Sequence, residues 1–439
     1  PMNQLINPIL LTLLVVATLW QGCSLGTPRN ELVEVFSWKT LDFAYPSEQS
    51  RQQAIAAGDF IPGNSVPMGS RCGRTRFSSP FPGWGRVSPL CLLWCFFLLL
   101  DMYKAPKLIP YPNWASQNMK SKEPGLKIVS PFRMSVDACD RLWMVDLGIL
   151  DIKTSFTKLF QPRILVFDLK TDQLVLEREI EAKLLPCRTW IANIIVDVER
   201  DNCQDAWAYI PDLWGKVLIV YSMQKNDYFN SDPLAGNYFI GGFNFRWDDG
   251  IFGVALSPRS VETGEKTLFF HALSAYTEYA VSTRVLKNAT LAADFYGYKL
   301  LGSRGGEFNQ AGAQSMDPQT GVLFYTLPHK NAIGCWNACD KSQEYSPRTA
   351  VQVVQNNVTL LYPSDLKVDR ASRVWVVSNK LPVFNNDALN NNEVNFRILY
   401  GEANKVIEDT PSHGVAHAPR GPWCKNYFGD RCTLLGLFS

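Results

Sequence analysis

The chain has 439 residues, 46% of them hydrophobic and 12% aromatic, which is enough apolar material for a large core and excludes global disorder. Its 43 basic and 41 acidic residues are spread along the chain and leave a formal charge of +2 with no basic stripe. Nucleic acid and other anionic polymers are therefore excluded as partners. Eleven cysteines suit an oxidising compartment.

Leu5 to Trp20 is an apolar run at the extreme N-terminus, followed by small residues from Gly22 to Gly26. This pattern predicts a secretory signal over residues 1–26, export, and no membrane association once the signal is removed. Leu32 to Ala44 alternates like a strand, and Ser47 to Ala57 reads as a short helix with Ser47 as N-cap, stopped by Gly58.

The stretch from Phe132 to Asp146, F-R-M-S-V-D-A-C-D-R-L-W-M-V-D, has a second copy in L-K-V-D-R-A-S-R-V-W-V-V-S from Leu366 to Ser378. In each, a Val-Asp pair ends one strand, a polar turn follows, and a strand centred on Trp143 or Trp375 opens. Looser copies end at Asp197, Ser257 and Asp317. The markers at 137, 197, 257, 317 and 369 recur at 60-residue intervals, the last shortened to 52. About four strands fit each period: in the second unit, I-A-N-I-I-V-D, D-A-W-A-Y-I, K-V-L-I-V-Y-S and a short outer strand from Asp227 to Phe229. Such a repeat buries its apolar faces only by packing against its neighbours, which is the logic of a β-propeller. Five marked units, with room for one before Phe132, predict an all-β fold, a six-bladed β-propeller with four-stranded antiparallel blades spanning residues 27–400. The N-terminal strand is expected to complete the last blade. The tail, 401–439, carries no repeat and reads as a loose extension.

Cys139 and Cys203 both fall in the turn after the first strand of successive blades, on one rim, and are expected to form a disulfide. Cys335 and Cys339 have C-x-x-x-C spacing without the partners a zinc site needs. The sequons at Asn288 and Asn357 are candidate glycosylation sites.

Several ordered motifs are distinctive: W-K-T-L-D-F-A-Y-P from Trp38, D-F-I-P-G-N-S-V-P-M-G from Asp59, L-I-P-Y-P-N-W from Leu108, G-I-F-G-V-A-L-S-P from Gly250, G-C-W-N from Gly334 and N-F-R-I from Asn395. Together they resemble the insect Yellow / major royal jelly protein family from about Trp38 to Tyr400. The resemblance implies a secreted six-bladed propeller. It fails between Phe77 and Lys104, where S-S-P-F-P-G-W-G-R-V-S-P-L-C-L-L-W-C-F-F-L-L-L replaces the family's strands. One legal encoding of Ser78 to Gly83 reads Val-Thr-Phe-Pro-Arg in a shifted frame, so residues 78–100 are read as an anomalous, frame-shifted or mis-spliced segment. A membrane span is a weak alternative, because Leu90 to Leu100 is far short of the roughly twenty apolar residues required. Before Arg163 the family carries Cys-Pro where this chain has Gln161-Pro162, which leaves Cys187 or Cys335 free or re-paired.

Propellers gather polar groups where innermost strands begin and second strands end, around one mouth of the central channel. That geometry selects Asp146, Asn193, Asp212, His271, Gln314 and Asn379, with Ser364 or Asp365. Among them Asp146, Asp212 and His271 are the candidates for catalysis. His413 and His417 flank Gly414 in a Pro-broken tail and make a poor metal pair. Neither a nucleophile elbow, a phosphate loop, a zinc signature nor a dinucleotide fingerprint is present, so no metal or other cofactor is expected. The resemblance implies two functional classes. One is a binder of small aromatic amines, with Asp146 or Asp212 pairing the ammonium, Phe245, Trp336 or Phe396 stacking on the ring, and Asn395 beside them. The other is an enzyme of dopachrome conversion in melanin formation, which needs a base and a donor to the ring oxygen. A structural role in cuticle is the third alternative.

Overall fold

The computed structural model describes residues 30–69, 71–72, 76–79, 91–94, 105–119, 124–150, 155–231, 236–237, 248–260, 263–293, 297–340 and 344–413. The signal, the tail from Gly414 with His417, Phe245 and most of the anomalous segment lie outside them.

From Pro131 onward, five full-length antiparallel blades of four strands follow one another along the chain. The first blade is Pro131–Val136, Arg141–Asp146, Arg163–Asp168 and Gln173–Glu179. The second is Ile195–Glu199, Asn202–Asp212, Val217–Ser222 and Asp227–Ser231, and the third Ile251–Leu256, Thr267–Ala272, Thr277–Ser282 and Tyr298–Ser303. The fourth is Gln314–Met316, Val322–Leu327, Ala332–Asn337 and Val351–Gln355. In the fifth, Pro363–Val368, Arg373–Ser378 and Phe396–Glu402 are completed by the N-terminal strand Val33–Trp38, paired from Val33 with Tyr400 to Trp38 with Phe396. Strands from both ends of the chain thus share one sheet.

Strand periodicity explains the packing. Side chains alternate between the two faces of a sheet, so the second, third and fourth blades bury alternate positions against the blade on either side, while the free face of the first packs on Tyr111 and Ile128 and that of the fifth on Phe43, Phe60, Val66 and Leu108. Ala206, Ala208 and Ile210 pack on Trp143 and Val166 of the first blade, whereas Trp207 and Tyr209 pack on Val254 and Phe270 of the third. In the fourth blade Leu323 and Tyr325 face Phe269, while Val322 and Phe324 face Val374 and Val376 of the fifth.

The repeated marker is a side-chain clamp on a tight turn. Asp137 Oδ1 accepts from the backbone N–H of Cys139 and Arg141, and its Oδ2 accepts from Arg141 Nε at 2.7 Å and Trp143 Nε1 at 2.8 Å. Asp369 repeats the set with Ala371, Arg373 and Trp375. The turn residues Asp140 and Ser372 both adopt left-handed backbone, φ 61° and 56°.

The expectation of six four-stranded blades is corrected: the arrangement reads as a propeller of five full blades, one for each marked repeat. The sixth was counted from the room before Phe132 and from the family resemblance, with no marker of its own. There, among the described residues, four strands of two to four residues, Arg71–Cys72, Arg76–Ser79, Cys91–Trp94 and Ile109–Pro110, pair into a small sheet that falls short of a full blade. At the other end the chain stays packed beyond Gly401. Val406 and Ile407 join the core between blades four and five, and buried Ser412 Oγ lies 3.4 Å from Cys335 Sγ.

Candidate functional site

The mouth residues are all buried, and most of their hydrogen bonds run to the framework. Asp146 is fully buried and takes the backbone N–H groups of Val129, Ser130 and Gly148, with Arg163 Nη2 at 3.3 Å. Burial raises its carboxyl above the ordinary range, opposed by those hydrogen bonds and Arg163. Asp212 plays the same part in blade two, accepting from Trp190 and Gly215, and burial raises it too. Asn193 donates to Phe252 O, Asn379 to Pro67 O, and Asn395 to Lys39 O. Trp336 and Phe396 belong to the blade cores.

His271 and Gln314 do meet. His271 Nδ1 lies 2.9 Å from Glu278 Oε2, and Nε2 lies 2.8 Å from Gly312 O in the next blade. Gln314 Nε2 donates to Glu278 Oε1 at 3.1 Å, and Arg304 Nη1 reaches both Glu278 Oε2 and the Tyr345 hydroxyl. Gly253 makes the crossing possible: a Cβ there would stand 2.3 Å from His271 Nε2. This fully enclosed network staples blades three and four.

The axis itself is occupied by a residue the sequence reading quoted without singling out. Arg133, on the innermost strand of blade one, donates through Nη2 to Ser364 O of blade five, places Nε 3.2 Å from Asp365 Oδ1, and sets its guanidinium 4.3 Å from the Phe252 ring of blade three. One side chain thus ties together innermost strands from three blades. Burial lowers the Arg133 pKa, with Asp365 opposing. Gly69 seals the pair: a Cβ there would lie 2.8 Å from Asp365 Oδ2. The signal was available, since P-F-R-M-S-V and P-S-D-L-K-V place opposite charges at the third position of equivalent strands.

Open space lies on the mouth face, off the axis. Residues 147–149 and 156–162 of blade one and the segment 182–189 entering blade two line a cavity of about 300 Å³ with apolar side chains and Lys158, Gln161, Cys187 and Thr189. Behind it Trp190 and Trp214 stand 4.8 Å apart, with Phe156 6.1 Å from Trp190. On the opposite rim Cys139 and Cys203 form a disulfide. Cys187 is an exposed free thiol, whereas burial pushes the free Cys335 thiol up to about 12.

The profile of the family described as Major royal jelly protein matches residues 129–411. The chain belongs to the Yellow / major royal jelly protein family. It is 34% identical over 87% of its length, and 84% of the relative's, to a Drosophila melanogaster protein named Dopaminechrome tautomerase. It is 36% identical to Protein yellow of the same species over 87% of this chain and 70% of that one, and 35% identical to Protein yellow of Drosophila yakuba over 90% and 73%.

Proposed function

We propose that this chain, within the family's pigment chemistry, takes a small bicyclic quinonoid of the aminochrome type and promotes its tautomerisation. The observation that carries the reading is the similarity to the protein named Dopaminechrome tautomerase, which extends over 84% of that protein. The chemistry asks little of the protein. A proton leaves a carbon of the five-membered ring, its electron pair moves through the conjugated system to the carbonyl oxygen, and that oxygen takes up a proton. No electrons are exchanged with a second molecule, so the protein need supply only a shaped, partly dry site and a donor at the oxygen. Of the carboxylates first considered for an ammonium group, Asp146 is committed to backbone N–H groups through both oxygens and Asp212 through Oδ1, which weighs against the amine-binding reading at those positions. Export with glycosylation is part of the proposal, supported by the exposure of Asn288 and Asn357.

The test is incubation of the secreted protein with freshly oxidised dopamine, following loss of the visible aminochrome band, beside calorimetry with dopamine and serotonin. Turnover supports the tautomerase. Stoichiometric heat without turnover marks a binder instead, and neither response overturns both.

A further inference from the structure

We propose that the cavity between blades one and two, off the sealed axis, seats the quinonoid ring, with Lys158 donating to the carbonyl oxygen that becomes the phenol; this rests on the tautomerase reading above. Four observations converge on it. First, the volume of about 300 Å³ sits at the lower end of the roughly 300–1,000 Å³ common for ligand pockets, which suits one bicyclic ring and no polymer. Second, the walls are of the right kind: Leu147, Ile149 and Leu185 offer apolar faces, and Phe156 offers a ring. Third, Phe156 is held at φ 48° and left 41% exposed. A bulky side chain in left-handed backbone and turned to solvent costs stability on both counts, and such strain gathers at functional sites. Fourth, Lys158 Nζ bonds Gln161 Oε1 at 2.8 Å and pairs with no carboxylate among the described residues. Its ammonium keeps donors for a ligand oxygen, and Gln161 holds it in place.

The step balances without a co-reactant. The ring C–H bond breaks, its proton goes to water, the electron pair moves onto the carbonyl oxygen, and that oxygen is protonated from solvent. Lys158 stays an ammonium throughout and stabilises the oxygen as charge develops on it. A cationic wall also sets specificity, since it repels the open-chain ammonium of dopamine while accepting the cyclised ring.

Lys158, Ala182 and Cys187 are exposed, so substitutions there report on the cavity without disturbing the core. Lys158→Met and Ala182→Trp should each lower kcat/KM for aminochrome at least tenfold at an unchanged unfolding midpoint. Independently, 5-hydroxyindole, a stable ring analogue, should slow alkylation of Cys187 by iodoacetamide at least threefold, read on the Cys187 peptide by mass spectrometry. If the wild type turns over and both variants match it, the cavity assignment falls while the tautomerase reading stands. If the wild type does not turn over, that reading falls and protection decides the cavity: a protected Cys187 upholds it as a ring site, and an unprotected one overturns it.

Discussion

Replacing Asp137 with Asn tests whether the repeated Asp clamp holds the blades, because the chain carries its own control at Asp369. Asn keeps one acceptor for the turn N–H groups but presents an NH2 where Arg141 Nε and Trp143 Nε1 both donate, at 2.7 and 2.8 Å. The Arg141 side chain is 8% exposed and the Trp143 indole fully buried, so neither donor can turn to water. Losing the charge-assisted bond costs about 1.5–3 kcal/mol, and an orphaned indole N–H about 1–3 kcal/mol. We expect Asp137→Asn to destabilise by about 3–4 kcal/mol, a large share of the roughly 5–15 kcal/mol that holds a domain folded. At the second copy Arg373 is 29% exposed and regains water, so Asp369→Asn should cost only about 1–2 kcal/mol. Urea unfolding measures both, as a shift of midpoint at constant slope. Equal losses, a larger loss at Asp369, or losses below about 0.5 kcal/mol at both sites would refute the clamp as drawn.

Lys266 joins blades two and three through Asp197 at 2.9 Å and Glu199 at 2.7 Å, with Lys287 also on Asp197 at 2.8 Å. Burial alone would raise the Asp197 carboxyl, but the two lysines outweigh it and hold it below its ordinary value. A depressed carboxyl stabilises above its unfolded value of about 3.9 and loses that contribution as pH falls through the folded value. Lys266→Met should therefore cost about 2–3 kcal/mol at pH 7, less than a fully broken buried pair because Lys287 remains, and the gap from wild type should shrink below about pH 3.5. A gap independent of pH would speak against it. Replacing both Cys139 and Cys203 with Ala opens a bridge spanning 64 residues and should lower stability by about 2–4 kcal/mol, measured by the same urea titration. Finally, a tryptic digest of the naturally secreted protein should lack the peptide Phe77 to Arg86; finding it in soluble secreted material would establish the anomalous segment as genuine.

What the sequence disclosed, and what it hid, follows from how local each feature is. The markers at Asp137 and Asp369 were legible because each is made within seven residues: an Asp, a turn with one left-handed residue, and an Arg and Trp that return to the same carboxylate; the other three were found by their 60-residue spacing. Closure by Val33–Trp38 was legible for the same reason, as an alternating strand left over at one end. The sixth blade failed because spare length is not a marker. At the mouth, sequence showed polarity at strand ends but not the backbone N–H groups waiting there. Asp146 and Asp212 therefore look like free carboxylates until their donors are in place.

The axis is the instructive case. Most of a blade's side chains pack against neighbouring sheets, Phe132, Val254 and Leu366 of the innermost strands among them, but Arg133 and Asp365 of those strands meet side chains of other blades instead. A charge at such a position must find its partner across the chain, and Arg133 and Asp365 do so from the same place in their strands, 3.2 Å apart. Alone, Arg133 reads as an irregularity in an apolar strand. Aligned by repeat with Asp365, it reads as half of an ion pair, and that alignment needed only the markers already in hand. The same reasoning moves ligand chemistry outward. Once opposite charges of equivalent strands meet on the axis, the centre is structural, and solvent reaches a shaped, partly apolar space where the loops after second and fourth strands pull apart, as they do beside Phe156 and Lys158.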